Sequence, residues 1–450
     1  MAKNEIDMTQ GPLLPKILLF ALPLMASSTL QLLFNAADMI VVGRYAGPEA
    51  LAAVGANGSL ITLFVNVFIG LSIGSNVMAA KYIGAGKQEE LDETVTTSIL
   101  LAILGGIFLM IVGALALGPM LIIMGTPAGI LELAKLYLII YFMGMPFNLL
   151  YNFGSALLRA VGDTRRPLIY LFISGVINII LNLVLVLGFN MSVAGVAIAT
   201  VISQVVSAVL VIRCIAVSDG MLRLKFGKIR LNKVILKEII KVGLPAGLQG
   251  VIFSMSNVLI QSSVNSFGEM AVAGNTAASN IEGFVYMAMN ASYQSCVSFT
   301  GQNYGAGKPD RIIKTLFLCE LTGIATGIIL GWPAYFFGEQ LLTIYGSSPE
   351  MIVYGMKRAS VILTTYALCE VMDVPVGTLR GMGCGTVPML ISLVGACLFR
   401  VVWIFTIFQN YRTLETLYMS YPVSWILTAT AQLIAVYVVF NRRFGKKSVA

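Results

Sequence analysis

Histidine is absent from all 450 residues of this chain, and charged residues make up only 11% of it. The missing imidazoles exclude the commonest metal ligand and the usual proton relay, so carboxyl groups must take those roles if any residue does. The six cysteines have no paired spacing, which predicts small buried side chains and neither disulfides nor metal ligands. No nucleophile stands at a typical spacing from a base, so we expect no enzymatic activity and no cofactor.

Hydrophobic sequence is what the chain has in excess. Hydrophobic residues account for 58% and the mean hydropathy is +0.88, which excludes an ordinary soluble protein. A helix needs about 20 consecutive apolar residues to cross a bilayer. Twelve such stretches predict an all-α integral membrane protein, with spans near 14–43, 51–80, 94–118, 130–158, 167–188, 193–214, 234–264, 272–301, 314–338, 350–379, 388–409 and 417–440.

One short segment occurs twice. The sequence KYIGAGK at Lys81–Lys87 returns as QNYGAGK at Gln302–Lys308, with four of seven residues identical and a displacement of 221 positions. The same displacement relates Leu158–Gly162 to Leu379–Gly383. Two matched blocks in one register indicate an internal duplication. Because each half has six spans, the halves enter the membrane in the same direction and form two parallel six-helix repeats.

The two GAGK segments could be phosphate-binding loops or plain turns. Neither follows a strand or has the spacing of a P-loop, so the sequence favours tight turns in which glycine supplies a positive φ. Lysine and arginine are concentrated on the side of the membrane where these turns lie, which predicts that both termini are cytoplasmic. Residues 1–13 lack a signal-peptide pattern, so we expect the first span to be retained.

The duplication divides the chain into an N-terminal bundle, 1–214, a cytoplasmic linker, 215–233, and a C-terminal bundle, 234–450. Leucines alternate with basic residues in the linker, at Leu222–Phe226. This alternation indicates either a segment lying on the anionic inner leaflet or a simple tether. Pro23 lies well inside the first span and Pro245 lies in the corresponding region of the seventh, and each predicts either a static bend or a hinge.

Ionisable side chains are costly inside a membrane, so the few that occur there are candidate functional residues. Asp38 lies about 9 Å below the outer end of the first span, counted at 1.5 Å per residue. Asn182 and Thr200 lie at a similar level in spans five and six, and Asn178 is one turn from Asn182. These hard oxygen ligands suit Na⁺, while Asp38 alone could take a proton.

The duplication provides a control for this predicted cation site. In the second half, the positions of the two asparagines and the threonine hold Phe399, Trp403 and Tyr421, and the seventh span has no acid. Polar residues needed only to build a six-helix bundle should occur in both copies. Their restriction to one copy favours a cation site, with interhelical hydrogen bonding as the alternative.

The second half carries other intramembrane charges. Glu370 could pair with Arg400, whereas Asp373 and Glu282 have no obvious basic partner and could titrate or contact a cationic substrate. Tyr286 and Met289 follow Glu282, and aromatic and methionine side chains suit flat organic cations. We therefore predict substrate binding at Glu282, Tyr286, Met289, Glu370 and Asp373. Glu320 is expected at the membrane interface.

Together, the twelve spans in two parallel halves, the repeated GAGK turns and the repeated Leu-Arg segments resemble the multidrug and toxic compound extrusion (MATE) family of prokaryotic secondary transporters. The resemblance covers nearly the whole chain. It implies export of organic cations in exchange for Na⁺ or H⁺ by alternating access. It also implies a cation site at Asp38, Asn178, Asn182 and Thr200, and a first helix that bends at Pro23.

Two departures from the family pattern weaken a proton mechanism and favour Na⁺. One branch has a glutamate in span seven, where this chain has only amides, and the position that often carries a second acid in the other branch is Asn182 here. We expect a monomer in the prokaryotic inner membrane that interacts with small organic cations and membrane lipids, and not with nucleic acid. A flippase for a lipid-linked precursor is the alternative, although a pyrophosphate group should require several intramembrane cations.

Overall fold

The computed structural model describes residues 5–217, 220–224 and 230–445, apart from the side chains of Ser59, Ala114 and Leu117. These residues form helices and turns, and no strand occurs among them. The first half contains α1 Leu13–Val41, α2 Pro48–Gly84, α3 Gln88–Ile123, α4 Ala128–Met143, α5 Met145–Ala160, α6 Arg165–Leu183 and α7 Ser192–Val217. Single π-helical turns, Val42–Ala46 and Val184–Gly188, extend α1 and α6.

The second half repeats this order, with a short additional helix after the ninth span and with the eleventh span broken into shorter pieces. It contains α8 Lys233–Asn265, α9 Glu269–Gly305, α10 Pro309–Phe336, α11 Gly338–Thr343, α12 Pro349–Thr365, α13 Ala367–Gly381, α14 Thr386–Ser392, α15 Phe399–Phe405, α16 Ile407–Asn410 and α17 Leu414–Phe444. A π-helical segment, Leu393–Leu398, joins α14 to α15.

The spans agree in number with the sequence prediction. Nine helices of the described chain are long and apolar enough to cross a membrane, and the bent pairs α4–α5 and α12–α13, each kinked by 49°, add one span apiece. Apart from the six-residue α11, the helix left over is α9, which has 37 residues and enough polar side chains to fall outside that hydropathy class. The predicted all-α architecture of twelve membrane helices is therefore confirmed.

The turns repeat as closely as the helices. Gly86 and Gly307, in the two GAGK segments, have φ angles of 68° and 66°. In each turn the amide of the following lysine donates to the carbonyl five residues earlier, at 3.0 and 2.9 Å. Gly162 and Gly383, which follow the repeated Leu-Arg segments, have φ angles of 86° and 82°. These are glycine-terminated helix ends, so the interpretation of GAGK as a turn is confirmed.

The chain folds into two compact units. The first unit consists of the described residues within Met1–Asp7 and Ala26–Gly247, and the second of those within Met8–Met25 and Leu248–Ala450. Each half therefore opens with a helix that is divided between the units. The division in α1 falls two residues after Pro23, and the division in α8 falls two residues after Pro245.

Glycine pairs pack the opening part of α8 into the first unit. A Cβ atom built on Gly70 would lie 2.1 Å from the backbone nitrogen of Gly247, and one on Gly74 would lie 2.3 Å from the carbonyl oxygen of Ile239. Gly70 and Gly74 form a G-x-x-x-G pair on α2, and Gly243 and Gly247 form another on α8. Small residues at this spacing let two membrane helices approach to backbone contact.

Hydrogen bonds to backbone carbonyls hold the segment before α1 in the second unit. The Arg311 guanidinium donates to the carbonyls of Met8, Gln10 and Gly11, and the Lys308 ammonium donates to that of Thr9. The Met8 side chain is fully buried. The start of α1 is thus fixed to the beginning of α10.

Two leucines of the linker do not fit the interpretation that this segment lies on the inner leaflet. Leu222 and Leu224 are 1% and 6% exposed and pack in the first unit against Ile83 and Leu91 near the turn between α2 and α3. These two leucines therefore bury their side chains in protein and do not lie on a lipid surface. Arg223, between the two leucines, is exposed. Lys225 and Phe226, which complete the alternation, are outside the described residues.

Candidate functional site

A chain of polar side chains in the first unit joins three helices. One carboxylate oxygen of Asp38 on α1 accepts a hydrogen bond of 2.5 Å from the side-chain amide of Asn182 on α6. The same amide donates to Oδ1 of Asn178 at 3.1 Å, and the amide of Asn178 donates to the Thr200 hydroxyl on α7 at 3.5 Å. The structure therefore brings together all four residues predicted to bind the cation.

A glycine on α6 makes this arrangement possible. A Cβ atom at Gly175 would lie 2.0 Å from the ring of Phe34 on α1, so only glycine leaves room for that ring. Asp38 follows Phe34 by one turn, and Asn178 and Asn182 follow Gly175 by one and two turns. The contact at Gly175 thus positions the carboxylate of α1 opposite the amides of α6.

One oxygen atom of this polar cluster accepts no hydrogen bond. Asn182 is fully buried, and its Oδ1 atom accepts no hydrogen bond from any residue that the structure describes. No described lysine or arginine forms an ion pair with Asp38. A buried amide oxygen without a donor is costly, and a carboxylate without a counter-ion in a membrane is costly as well. A small cation held between these oxygens, or a proton on the carboxyl group, would relieve these costs.

Sequence reasoning missed two tyrosines next to this cluster. The rings of Tyr137 and Tyr141 on α4 stack with centroids 5.8 Å apart, and both lie within electrostatic range of Asp38. Tyr137 packs in one apolar cluster with Met39, the residue after Asp38. Their four-residue spacing, at a depth in span four similar to that of Asp38 in span one, was the available signal.

The positions of the second unit that correspond to this polar cluster, 221 residues further along, form a layer with different side chains. Phe399 and Trp403 occupy the positions of the two asparagines, with ring centroids 5.7 Å apart. The guanidinium of Arg400 lies 4.1 Å from the centroid of the Tyr421 ring and donates to the Ser424 hydroxyl at 3.0 Å. A side-chain cation is therefore stacked on the residue that replaces Thr200.

The expectation that Glu282 has no basic partner is wrong. Arg358 on α12 donates to both carboxylate oxygens of Glu282 on α9, with distances of 2.7 to 3.1 Å, and to Oδ1 of Asn275 at 2.9 Å. The Tyr418 hydroxyl donates to the same Asn275 oxygen at 3.0 Å. Glu282 and Arg358 are 4% and 8% exposed. This is a buried bidentate ion pair, in which each charge is balanced by its partner.

The ion pair considered for Glu370 and Arg400 does not form in the structure. Within the described residues Glu370 forms no ion pair with Arg400, because Glu370 packs against Gly323 while Arg400 turns to Tyr421 and Ser424. Glu320, which the sequence places at the membrane interface, has both carboxyl oxygens buried within the protein. It lies eleven residues after the start of α10, which places it about 16 Å along the helix.

The other predicted substrate residues lie on α9 and α13. The Tyr286 hydroxyl donates to Asp373 at 3.4 Å, and the ring of Tyr286 stacks on that of Tyr366 with centroids 6.4 Å apart. Met289 is fully buried one turn further along α9, in the same core cluster. Asp373 and Tyr286 are partly exposed. The structure thus brings Tyr286 and Asp373 together, whereas Glu282 is engaged by Arg358.

A family model described as MatE matches residues 23–184 and, a second time, residues 245–406. The two matches cover more than two thirds of the chain. The chain belongs to the MatE family. One copy of the family model in each half confirms the internal duplication, and the MATE resemblance inferred from the repeated turns is confirmed with it. The family is one of multi-pass membrane transporters and not of enzymes.

Curated relatives of this MatE chain extend over almost its whole length. A probable multidrug resistance protein of Bacillus subtilis, YoeA, is 27% identical over 442 residues, which are 96% of this chain and 94% of that protein. The probable multidrug resistance protein NorM of Thermotoga maritima is 28% identical over 402 residues, covering 87% and 85%. An FAD transporter of Shewanella oneidensis is 25% identical over 354 residues, covering 78% of each.

Solved MATE structures share the fold. A MOP superfamily transporter from Pyrococcus furiosus superposes with a TM-score of 0.92 at 22% identity, covering 98% of each chain. A crystal structure of a MATE protein in complex with MaL6 gives a TM-score of 0.91 at 22% identity, covering 98% of this chain and 99% of that one. These superpositions agree with the twelve-helix architecture.

Proposed function

We propose that this MatE protein is a secondary active transporter that exports organic cations in exchange for Na⁺ or H⁺. The hydrogen bond between Asp38 and Asn182, with the free buried Oδ1 atom of Asn182 beside it, is the observation that supports this most directly. We assign cation binding to Asp38, Asn178, Asn182 and Thr200. Their oxygens are hard ligands, which favours Na⁺ over softer metals.

Cation binding at this site would stabilise contacts between α1 and α6. The carboxylate and the amides come from different helices, so a bound cation favours the conformation in which their oxygens are close. Without the cation, the polar link between Asp38 and α6 is the single hydrogen bond from Asn182. We propose that this difference in stability drives the alternation between outward and inward access.

The proposed hinge is Pro23 in α1. A proline inside a helix removes one backbone hydrogen bond and weakens the helix at that point. The boundary between the two units falls two residues later, and it falls at the same distance from Pro245 in α8. Bending at these two positions would let α1 and α8 follow the motion of the units without breaking the helices elsewhere.

Substrate recognition is assigned to Tyr286 on α9 and Asp373 on α13, with Met289 supporting Tyr286 from the core cluster against which that ring packs. Arg358 balances the charge of Glu282, and Glu370 is buried against Gly323, so Asp373 is the acid best placed to attract an organic cation. The Tyr286 ring supplies an aromatic face for a flat cation. Substrates with a positive charge and a planar ring system should therefore be preferred.

A flippase for a lipid-linked precursor is not favoured. Recognition of a pyrophosphate group needs several accessible cations. Arg358 is already bonded to Glu282, and Arg400 is stacked on Tyr421.

The experiment is efflux of a fluorescent organic cation from proteoliposomes under an imposed Na⁺ or pH gradient, with wild type and Asp38→Asn compared. Wild type should transport under at least one gradient, and the variant should not. Asn has the same shape as Asp without the charge, so equal rates would remove Asp38 from the mechanism. FAD, which the Shewanella relative is named for, serves as an anionic comparison substrate.

Voltage provides a second arm of the experiment. One monovalent ion moving inward gains about 2.3 kcal/mol per 100 mV, and one monovalent substrate cation moving outward loses the same amount. One-for-one exchange should therefore depend on the ion gradient and only weakly on the membrane potential. A flux that follows the potential with both gradients clamped would exclude one-for-one stoichiometry.

A further inference from the structure

Two carboxyl groups in the interior of the second unit, those of Glu320 and Glu370, lie near enough to interact electrostatically. Glu320 lies eleven residues after the start of α10, and Glu370 lies eleven residues before the end of α13. These two helix ends are on the same side of the unit, because the Arg443 guanidinium donates to the Tyr304 hydroxyl near the end of α9 and to the Met382 carbonyl after α13. Both acids are thus about 16 Å along their helices from that side.

A glycine lets the two helices approach at this level. A Cβ atom on Gly323 would lie 2.1 Å from Cγ and 2.6 Å from Oε1 of Glu370. Gly323 follows Glu320 by one turn, so both are on the same face of α10. The carboxyl group of Glu370 is therefore held against the face of α10 that carries Glu320. We call these two residues the carboxyl pair.

The carboxyl pair has no hydrogen-bond donor or counter-ion in the part of the chain that the structure describes. Both carboxyl oxygens of Glu320 and Oε1 of Glu370 are buried and accept no hydrogen bond from the protein. Glu370 is 1% exposed. A buried carboxylate without donors or a counter-ion is strongly disfavoured, and it avoids this cost by binding a proton.

The charged and titratable neighbours do not neutralise the pair. Asp373 and Cys296 interact with it electrostatically, and Cys319 is buried beside Glu320 on α10. The nearby cations are bonded elsewhere. Arg380 donates to the Tyr293 hydroxyl and to Oε1 of Gln249, and Arg400 donates to Ser424. Among the described residues, the ionisable groups that interact with the pair are therefore acids, thiols and the phenol of Tyr286, and none of them carries a positive charge.

The duplication shows that helix packing does not require these acids. At the 221-residue displacement, Glu320 corresponds to Ile99 and Glu370 corresponds to Leu149. Ile99 and Leu149 are 4% and 0% exposed and belong to the apolar cores of the first unit. The same pair of helices is thus packed with hydrocarbon in one unit and with two carboxyl groups in the other.

We propose that Glu320 and Glu370 form a proton-binding site that holds at least one proton at neutral pH. Two neighbouring carboxylates repel each other when both are ionised, so they bind protons in two coupled steps. A metal ion is a poorer ligand, because the described residues contain no group of three or more acids, cysteines or histidines arranged to hold one. This site is separate from the cation site at Asp38, and its proton binding does not depend on the proposed function.

Infrared spectroscopy of the full-length protein in liposomes tests the site directly. A protonated carboxyl group has a carbonyl stretching band that an ionised one lacks, so the band can be followed as the pH is raised. Wild type should keep the band at neutral pH and lose it in two steps. In Glu320→Gln only Glu370 remains to titrate, so the band should disappear in one step. That step should come at a lower pH than the second step of wild type, because Glu370 then ionises without a negative charge on residue 320.

The apolar residues of the first unit supply the variant that removes the site without disturbing the fold. The double variant Glu320→Ile with Glu370→Leu places at these two positions the side chains that Ile99 and Leu149 bury in the first unit, so it should melt at or above the wild-type temperature. It should lose the part of the band assigned to the pair, whereas Asp38→Asn should keep that part. A band and titration identical in wild type and the double variant would overturn the proposal.

Coupling of this proton to transport is a separate step that rests on the proposed function. If the proton moves during the cycle, efflux driven by a pH gradient should fall at least tenfold in the double variant, while efflux driven by Na⁺ persists. Equal pH-driven efflux in wild type and the double variant would exclude coupling. If wild type shows no efflux at all but the infrared result holds, the proposed function fails and the proton site stands.

Discussion

The close approach of α1 and α6 at Gly175 makes the cation site testable from outside the cluster of polar residues. In Gly175→Ala the added Cβ atom would lie 2.0 Å from Cε2 of Phe34 and 2.2 Å from Cζ. Carbon atoms in contact are normally about 3.5–4.0 Å apart, so the ring or the helix must move by roughly 1.5–2 Å. Overpacking of this kind typically costs about 1–3 kcal/mol.

The displacement should weaken cation binding. Asp38 is one turn beyond Phe34, and its hydrogen bond to Asn182 is 2.5 Å long. A shift of α1 by more than an ångström would break that bond, which as a bond to a charged group contributes about 1.5–3 kcal/mol. If the ligand geometry loses even the lower part of that range, the affinity for the cation falls by about tenfold, since 1.4 kcal/mol is a factor of ten.

Thermal unfolding in detergent at increasing Na⁺, and separately at decreasing pH, measures this effect without transport. A ligand at 100 times its Kd stabilises the folded state by about 2.7 kcal/mol, and a tenfold weaker Kd leaves about 1.4 kcal/mol at the same concentration. Gly175→Ala should therefore lose roughly half of the cation-induced stabilisation. Gly188→Ala, at the end of the same span with nothing near the added atom, should keep it. Equal cation responses in both variants would refute the link between Gly175 and the site.

Three further predictions concern the scaffold. Gly70→Ala should lower the melting temperature, because its Cβ atom would lie 2.1 Å from the backbone of α8, whereas Gly58→Ala, with open space around it, should not. Arg358→Leu should cost about 3–5 kcal/mol in unfolding free energy by leaving Glu282 buried and unpaired, and adding Glu282→Leu should recover most of that loss. Pro23→Ala should leave the melting temperature at or above that of wild type while slowing efflux, and unchanged efflux would exclude the hinge.

Most of the fold could be predicted because a membrane imposes one length on every span. The stretch 234–264 became Lys233–Asn265, and 388–409 became the span Thr386–Asn410. The kinks were not predicted. Gly144 followed by Pro146 was a readable signal for the first kink, but the second falls at Tyr366, where no breaker residue is present. There the bend comes from packing between helices, which periodicity does not reveal.

The contacts of the candidate site could be predicted where they depend on the depth of a residue in its span. They could not be predicted where they depend on the direction of the side chain. Asp38 and Asn182 stand at one level in their spans, and the structure places them in contact. Arg358 was not counted among the intramembrane charges, although it lies nine residues inside α12, about 13 Å along the helix. Counting its depth would have paired it with Glu282. The ion pair that Glu370 could have made with Arg400 does not form, because depth alone does not fix the direction of a side chain.

The two units supply positive charge to the same layer in different ways. In the first unit, Asp38 faces neutral amides, and its counter-ion must come from solution. In the second unit, the positions of Tyr137 and Thr200 are held by Arg358 and Tyr421, and that guanidinium lies 5.5 Å from the Tyr421 ring. A cation fixed to the backbone cannot exchange, so we expect dissolved cations to act at this layer only in the first unit. Any response of the second unit to an ion then has to arise at another place in that unit. We assign it to the carboxyl pair between α10 and α13, whose buried oxygens accept no hydrogen bond from the described residues.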